Sequence, residues 1–448
     1  MEQAPKLNLV SIRKLPYPSE CEHRRVNERQ LIVDFPTPAH TQTTAFGEPA
    51  ESAFNNLASR GKPGFTWNRA LQTTRRRIRR LICLFLALLA LSLLPTAYAV
   101  SPQAEAPTTA EPNRLLVHQM LGVSITPRLI RDNLKWIETN REFIDGVILF
   151  LGDISASVMQ AKPLSYETVA SALAPVKDLN SATLKYNFAL VFSNKCADPF
   201  DDWSICIQNW GSFARAVKDT GLEGIAFDNE EYFEHWTDYP SQSDYPNKSL
   251  AEYQAQTRLR GQQVMEAIIK EFPDIELLFF VSPSISEPKT PARIGSLWLG
   301  NYAQQNELMG PFFAGFLEGL GTEAVLIDGG AQYKLRYPYE FEELYEWRKY
   351  GMASDQTNSA FIPSDLRPAW RERVDFAFGI YNLPWQGRDM TPDTMGPVLF
   401  NALNFADRYA WLYIEYDDLV GPNAIEQDWV DWIRWGKQQY TSALLGTQ

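Results

Sequence analysis

From residue 115 onward, short apolar runs rich in β-branched and aromatic residues alternate with longer stretches whose apolar positions recur every three or four residues. The first pattern is that of a strand and the second that of an amphipathic helix. Eight strand candidates follow: Leu115–Gln119, Gly146–Leu151, Tyr186–Phe192, Gly224–Asp228, Glu276–Ser282, Ala324–Asp328, Asp375–Tyr381 and Ala410–Glu415. They read as apolar throughout rather than alternating, as strands covered on both faces do. Between them the periodicity predicts helices over Thr126–Asn140, Trp210–Thr220, Leu250–Phe272, Phe312–Leu320, Tyr339–Tyr350, Thr394–Asp407 and Ala424–Tyr440. A sustained β, α order implies parallel strands joined by right-handed crossovers, and eight such units close a barrel. The expected fold class is therefore α/β, a single (β/α)8 barrel over residues 114–448. No glycine-rich phosphate turn follows the first strand, which sets aside an open nucleotide-binding sheet.

In such a barrel the reactive groups lie where strands emerge at their C-terminal ends, since the interior is packed. Carboxylates dominate those positions here. The fourth strand passes from Gly224-Ile225-Ala226-Phe227 straight into Asp228-Asn229-Glu230-Glu231-Tyr232. Asp228 and Glu230 are two apart, so continued strand geometry turns both toward the mouth. A Glu kept protonated by a neighbouring Asp and poor solvation can give its proton to a glycosidic oxygen as the bond breaks. Glu230 is the expected proton donor. Glu415 ends the last strand, across the barrel from the fourth, and Asp328 ends the sixth; either is a candidate to activate water. His118, Gln119 and Asn229 are candidates to hydrogen-bond sugar hydroxyls, and Tyr232, Trp236, Tyr333, Tyr381, Trp385 and Tyr413 to stack on sugar rings. For each of these rings, packing in the core is an equally good explanation.

On these residues the chain resembles the barrel glycoside hydrolases. Chitinase-like enzymes of glycoside hydrolase family 18 end their fourth strand in Asp-x-Asp-x-Glu; Ala226-Phe227-Asp228-Asn229-Glu230 is similar in its last Asp and Glu and has Ala226 in place of the first Asp. The clan A hydrolases place Asn-Glu at that strand end, as Asn229-Glu230 does, and a Glu at the end of strand seven, where this chain has Tyr381-Asn382. The resemblance implies cleavage of O-glycosyl bonds by carboxylates, and its family 18 side implies that Asp228 orients a substrate N-acetyl group. No cofactor and no metal is expected.

The N-terminal quarter changes the picture of where the barrel works. Five of the six residues Arg75–Arg80 are Arg, and Leu81–Leu94 then runs uncharged to Pro95 and Ala97-Tyr98-Ala99. Residues 75–99 read as a signal peptide cut after Ala99, or as an uncleaved anchor through residues 81–94. Residues 1–74 read as a disordered leader or an overextended start, and 100–113 as a linker. The expected location is periplasmic or extracellular, with membrane contact only through an uncleaved N-terminal segment.

The chain's net charge is −12; residues 1–99 hold 14 Lys and Arg against 7 Asp and Glu, and taking that +7 away leaves the remainder at −19. A body so acidic repels phosphate backbones, so no nucleic-acid partner is expected, and neutral or cationic saccharides suit it better than anionic ones. An oxidising compartment predicts a disulfide between Cys196 and Cys206, the two cysteines beyond the signal. Two other readings stay open: a noncatalytic carbohydrate-binding barrel of the cell envelope, and a metal-dependent polysaccharide hydrolase or deacetylase using Asp228, Asp328 and the histidines His118 and His235.

Overall fold

The computed structural model describes residues 112–446 except 194–196, 232–235, 282–292, 295–296, 299–306, 332, 358, 360, 386 and 422–424. The expected leader, the export segment and most of the linker lie outside the described residues, as do Cys196, Tyr232 and His235. No helix among the described residues is long and apolar enough to cross a membrane.

Nine parallel strands form one sheet: β1 (Arg114–Met120), β2 (Gly146–Leu149), β3 (Phe188–Phe192), β4 (Gly224–Asp228), β5 (Glu276–Phe279), β8 (Val325–Asp328), β9 (Val374–Phe376), β10 (Phe378–Tyr381) and β11 (Tyr409–Glu415). A short antiparallel pair, β6 (Arg293–Ile294) and β7 (Leu297–Trp298), stands apart. The order across the sheet is β10-β11-β1-β2-β3-β4-β5-β8-β9. The two outermost strands are successive in the chain, joined through Ala377, so the sheet comes round to meet itself as a TIM-like α/β barrel.

The count of nine corrects the expected eight, and a buried arginine explains it. The run 374–381 breaks at Ala377, whose amide donates to the Asp328 carbonyl at 2.9 Å while its carbonyl accepts from the Arg348 guanidinium at 2.7 Å. Arg348 is fully buried, on the π-turn Trp347–Gly351 that follows the helix Pro338–Glu346. It also donates to the Asp328 side chain and lies over the rings of Phe376 and Phe378. One arginine thus takes over the hydrogen bonding that an unbroken strand would have satisfied within the sheet.

Helix boundaries follow local chemistry. Thr126 caps Pro127–Asn140 by accepting from the Leu129 amide at 3.2 Å, and Ser249 with Glu252 forms a capping box on Leu250–Glu271. The helix Ser204–Thr220 stops at Gly221, whose φ of 80° suits a residue without a Cβ. Two long helices meet almost backbone to backbone: a Cβ on Gly261 would come within 2.1 Å of the Phe312 carbonyl oxygen. Only glycine permits Leu250–Glu271 and Met309–Gly319 to approach so closely.

The core is double. Leu116, Ile148, Leu190, Ala226, Leu278 and Ile327 point inward and fill the barrel. Their neighbours Val117, Val147, Val191, Phe227, Phe279 and Leu326 point outward and pack under the helices. This alternation decides which strand-end residues can share a site. The expected disulfide is corrected: Cys206 is a buried free thiol, its Sγ 3.9 Å from the Val158 carbonyl.

Candidate active site at the barrel mouth

The inward parity of Ala226 carries one step on to Asp228, that of Leu116 to His118, and that of Trp411 to Tyr413 and Glu415. These side chains therefore rise into the same end of the barrel, above a floor in which Phe280 stacks on Trp411 at 4.3 Å. Asp228 is buried and half of its carboxylate is committed locally, Oδ1 accepting from the Glu230 amide at 3.1 Å. That bond sets the turn that lifts half-buried Glu230 off the strand.

An aromatic wall faces these acids. Tyr381 stacks on Tyr413 at 5.4 Å and 14° and meets Tyr333 at 5.0 Å; Trp385 stands edge-on to Tyr333 at 5.6 Å and 89°. Tyr333 sits at φ 27°, a conformation unfavourable for a residue with a Cβ, which marks the loop after β8 as held in place by its surroundings. Burial first, then the negative charge of Glu230 and Asp228, and beyond Tyr413 that of Glu415, raises the Tyr333 hydroxyl well above the ordinary tyrosine range. Tyr413 is raised by burial and by Asp228 and Glu230. Three carboxylates from two strands thus act on one phenol.

Glu415 is half-buried, and desolvation raises its carboxyl above the ordinary range while a hydrogen bond from Tyr416 draws it back. Its backbone is pinned from the side: Asn382 Oδ1 accepts from the Glu415 amide at 3.0 Å and Asn382 Nδ2 donates to the Glu415 carbonyl at 3.3 Å. Asn382 is a positioning residue that the sequence reading placed at the end of the seventh strand without giving it a role. The signal was available, because Asn229 stands at the same offset past β4. Asn229 makes the same two-way pairing, accepting from Val281 at 2.8 Å and donating to it at 2.9 Å.

That pairing corrects the expected role of Asn229: its carboxamide is spent on backbone and not on sugar. Gln119 is corrected likewise. Fully buried, it donates to Asp418 at 3.0 Å and accepts from the Leu419 amide at 2.7 Å, tying the loop after β11 to β1. Trp236 is a core ring, donating to Ser193 at 2.7 Å and packed on Trp203 and Phe312. Asp328 does not reach the mouth. Ile327 takes the inward position, so Asp328 faces the helices and pairs with Arg348 with no exposure to solvent. The metal-dependent reading loses a ligand with it, and among the described residues no three His, Cys, Asp or Glu side chains stand close enough to hold an ion.

His118 is 96% buried, given a relative exposure of 4%. Its ring stacks on Tyr413 at 5.0 Å and 22° and touches Phe280 at 5.2 Å. Its Nδ1 has no hydrogen-bond partner, and desolvation holds the imidazole down to about 3, so the ring is neutral.

The chain matches no protein-family model and no curated protein. Among solved structures it is similar to active domain 2 of a thermostable chitinase from Pyrococcus furiosus, at 9% identity and a TM-score of 0.41 over 76% of this chain and 98% of that one. It is also similar to a GH36 alpha-galactosidase from Geobacillus stearothermophilus, at 10% identity and a TM-score of 0.40 over 75% and 42% of the two chains. A D-allulose 3-epimerase from Methylomonas sp. gives 10% identity and a TM-score of 0.37 over 75% and 99%. Hydrolases and an isomerase stand side by side in that group, and likeness this remote says nothing of what this chain acts on.

Proposed function

We propose that this protein is an exported glycoside hydrolase that cleaves a poly- or oligosaccharide at the mouth of its barrel. The observation that carries the reading is that Asp228 and Glu415 hold inward positions at the ends of β4 and β11, with the Glu230 amide bonded to Asp228, beside stacked rings that suit the flat faces of sugars. Glu230 gives its proton to the glycosidic oxygen as the C–O bond breaks. Glu415 takes a proton from the water that adds to the anomeric carbon, so one sugar leaves with a new hydroxyl and the other as a hemiacetal. Asp228 holds the Glu230 turn, and Asn382 holds Glu415. With Asp328 committed to Arg348, Glu415 is the base of choice.

The upward shift of Glu415 favours a second reading in which the roles exchange, Glu415 donating and Glu230 accepting. Both are tested by one panel of polysaccharides, with release of reducing ends measured for the full-length protein, Glu230→Gln and Glu415→Gln. Loss of a general acid or base lowers the rate by about 10²–10⁴-fold. Wild-type rates in Glu230→Gln would remove that residue from the chemistry. Binding without cleavage across the panel would leave a noncatalytic carbohydrate-binding barrel.

A further inference from the structure

The rim of the mouth is strained at two neighbouring points. β1 and β11 stay in register to their last residues, Met120 beside Glu415. Each is followed by a residue other than glycine in the left-handed region, Leu121 at φ 63° and Tyr416 at φ 67°. Such a backbone is unfavourable for a residue with a Cβ and persists where its surroundings fix it. Here they do. The Tyr416 amide donates to the Met120 carbonyl at 3.3 Å. Asp418 Oδ1 accepts from the Val123 amide at 2.9 Å and from Gln119 at 3.0 Å, and Gln119 in turn accepts from the Leu419 amide at 2.7 Å. Gly122 lies so near that a Cβ on it would come within 3.0 Å of Asp418 Oδ1 and 3.3 Å of the Tyr416 backbone. The turn after β11 is therefore clamped to the turn after β1.

What the clamp presents is a ring. In strand alternation residue 416 would face away from Glu415, toward the helices. The left-handed step breaks that alternation. Burial pushes the Glu415 carboxyl up, and a hydrogen bond from the Tyr416 side chain draws it back. Tyr416 nonetheless stays 65% exposed. A lone exposed ring is ordinary on a protein surface. One held there at a backbone cost, with its hydroxyl on a candidate acid–base group, is not explained by packing.

We infer that Tyr416 is a positioning residue of this mouth: its hydroxyl aims the Glu415 carboxylate, and its ring carries the pyranose unit beside it. This rests on the reading of Glu415 as an acid–base group at a carbohydrate site.

Two substitutions in the full-length protein separate the parts. Tyr416→Phe keeps the ring and loses the hydroxyl; Tyr416→Ala loses both, and at so exposed a position neither empties a packed core. On a saccharide that the protein cleaves, Tyr416→Phe is expected to leave KM unchanged and to move the acid limb of the pH–rate profile up by about 0.5–1 pH unit, because the charged carboxylate has lost a donor. Tyr416→Ala is expected to add a rise in KM of about tenfold. If Glu415 is the proton donor, the same change lifts the alkaline limb instead, which keeps the role of Tyr416 and exchanges the two acids. A purely structural residue would lower kcat in both variants with the limbs in place, and that result overturns the inference. The contact is also read without turnover. By carbon NMR, with Glu415→Gln for assignment, the Glu415 carboxyl is expected to titrate at higher pH in Tyr416→Phe; an unchanged titration overturns the inference. Tyr416 variants that match the wild type while Glu415→Gln loses activity sink this inference and spare the hydrolase. Full activity in Glu415→Gln ends both. If no saccharide is cleaved, the hydrolase reading falls and binding judges the ring: weaker in Tyr416→Ala than in Tyr416→Phe supports it, and equal binding, or none, overturns it.

Discussion

Glu415 lies where desolvation makes its carboxyl harder to ionise, and that has a kinetic consequence. If it acts as the base, activity falls as pH drops through a value above the ordinary glutamate range, because protonation removes the acceptor. Glu415→Gln is expected to lower activity about 10²–10⁴-fold and to remove this acid limb; in a pH–rate profile, an unchanged acid limb in the residual activity of the variant would show that another group titrates. His118 makes a thermodynamic prediction of the opposite kind. Its folded value, about 3, lies below the ordinary histidine value near 6.5. The unfolded chain therefore takes up a proton that the folded chain refuses, and stability drains away as pH falls from about 6.5 toward about 3. His118→Phe, which keeps a ring on Tyr413, is expected to flatten that part of the stability–pH curve measured by urea unfolding; a curve of unchanged slope would mean that the imidazole is not sheltered. At this scale the sequence was partly legible. Asp228, Glu230 and Glu415 follow from strand ends alone. Asp328 was misplaced because its parity depends on Ile327 facing inward, and Gln119 because its partners Asp418 and Leu419 are about 300 residues away in the chain.

Buried parallel strands announce themselves as unbroken apolar runs, which is why every barrel strand found had a candidate at its place in the sequence. The division at Ala377 was hidden, since it depends on Arg348, a charged residue that local pattern assigns to a helix surface. Burying that guanidinium against Asp328 leaves each dependent on the other. Asp328→Ala strands a charge under Phe376 and Phe378 and is expected to cost about 3–5 kcal/mol, read as a shift in the urea midpoint. Replacing both residues by apolar ones of similar volume is expected to cost much less; a single variant as stable as the wild type would show that the pair is not closed to water. Helix packing makes a similar demand. Gly261→Ala forces a methyl group against the Phe312 carbonyl, so Leu250–Glu271 and Met309–Gly319 have to part, at an expected 1–3 kcal/mol or about that. Small helices at Asp153–Ser157, Tyr166–Leu173 and Arg367–Arg373 went unread because they are too short to establish a period.

For the molecule as a whole, closure starts at Asn113. Its amide donates to the Tyr440 hydroxyl at 2.8 Å, its side chain donates to the carbonyls of Leu403 and Ala406, and β1 then pairs with both β2 and β11. The N-terminal tie of the barrel is thus made at residue 113, after the segment read as the export signal. The apolar run Leu81–Leu94 reaches only about 21 Å as a helix at 1.5 Å per residue, short of the ~30 Å hydrocarbon core, and Ala97-Tyr98-Ala99 offers a cleavage site immediately after it. We therefore expect the protein recovered from an exporting host to begin at Val100, leaving a chain with a charge of −19 that repels anionic surfaces. Intact-mass measurement and N-terminal sequencing check this. A mature form retaining residues 81–94 in the membrane fraction would mean an anchored protein in place of the expected secreted one, with the proposed mouth chemistry unaltered.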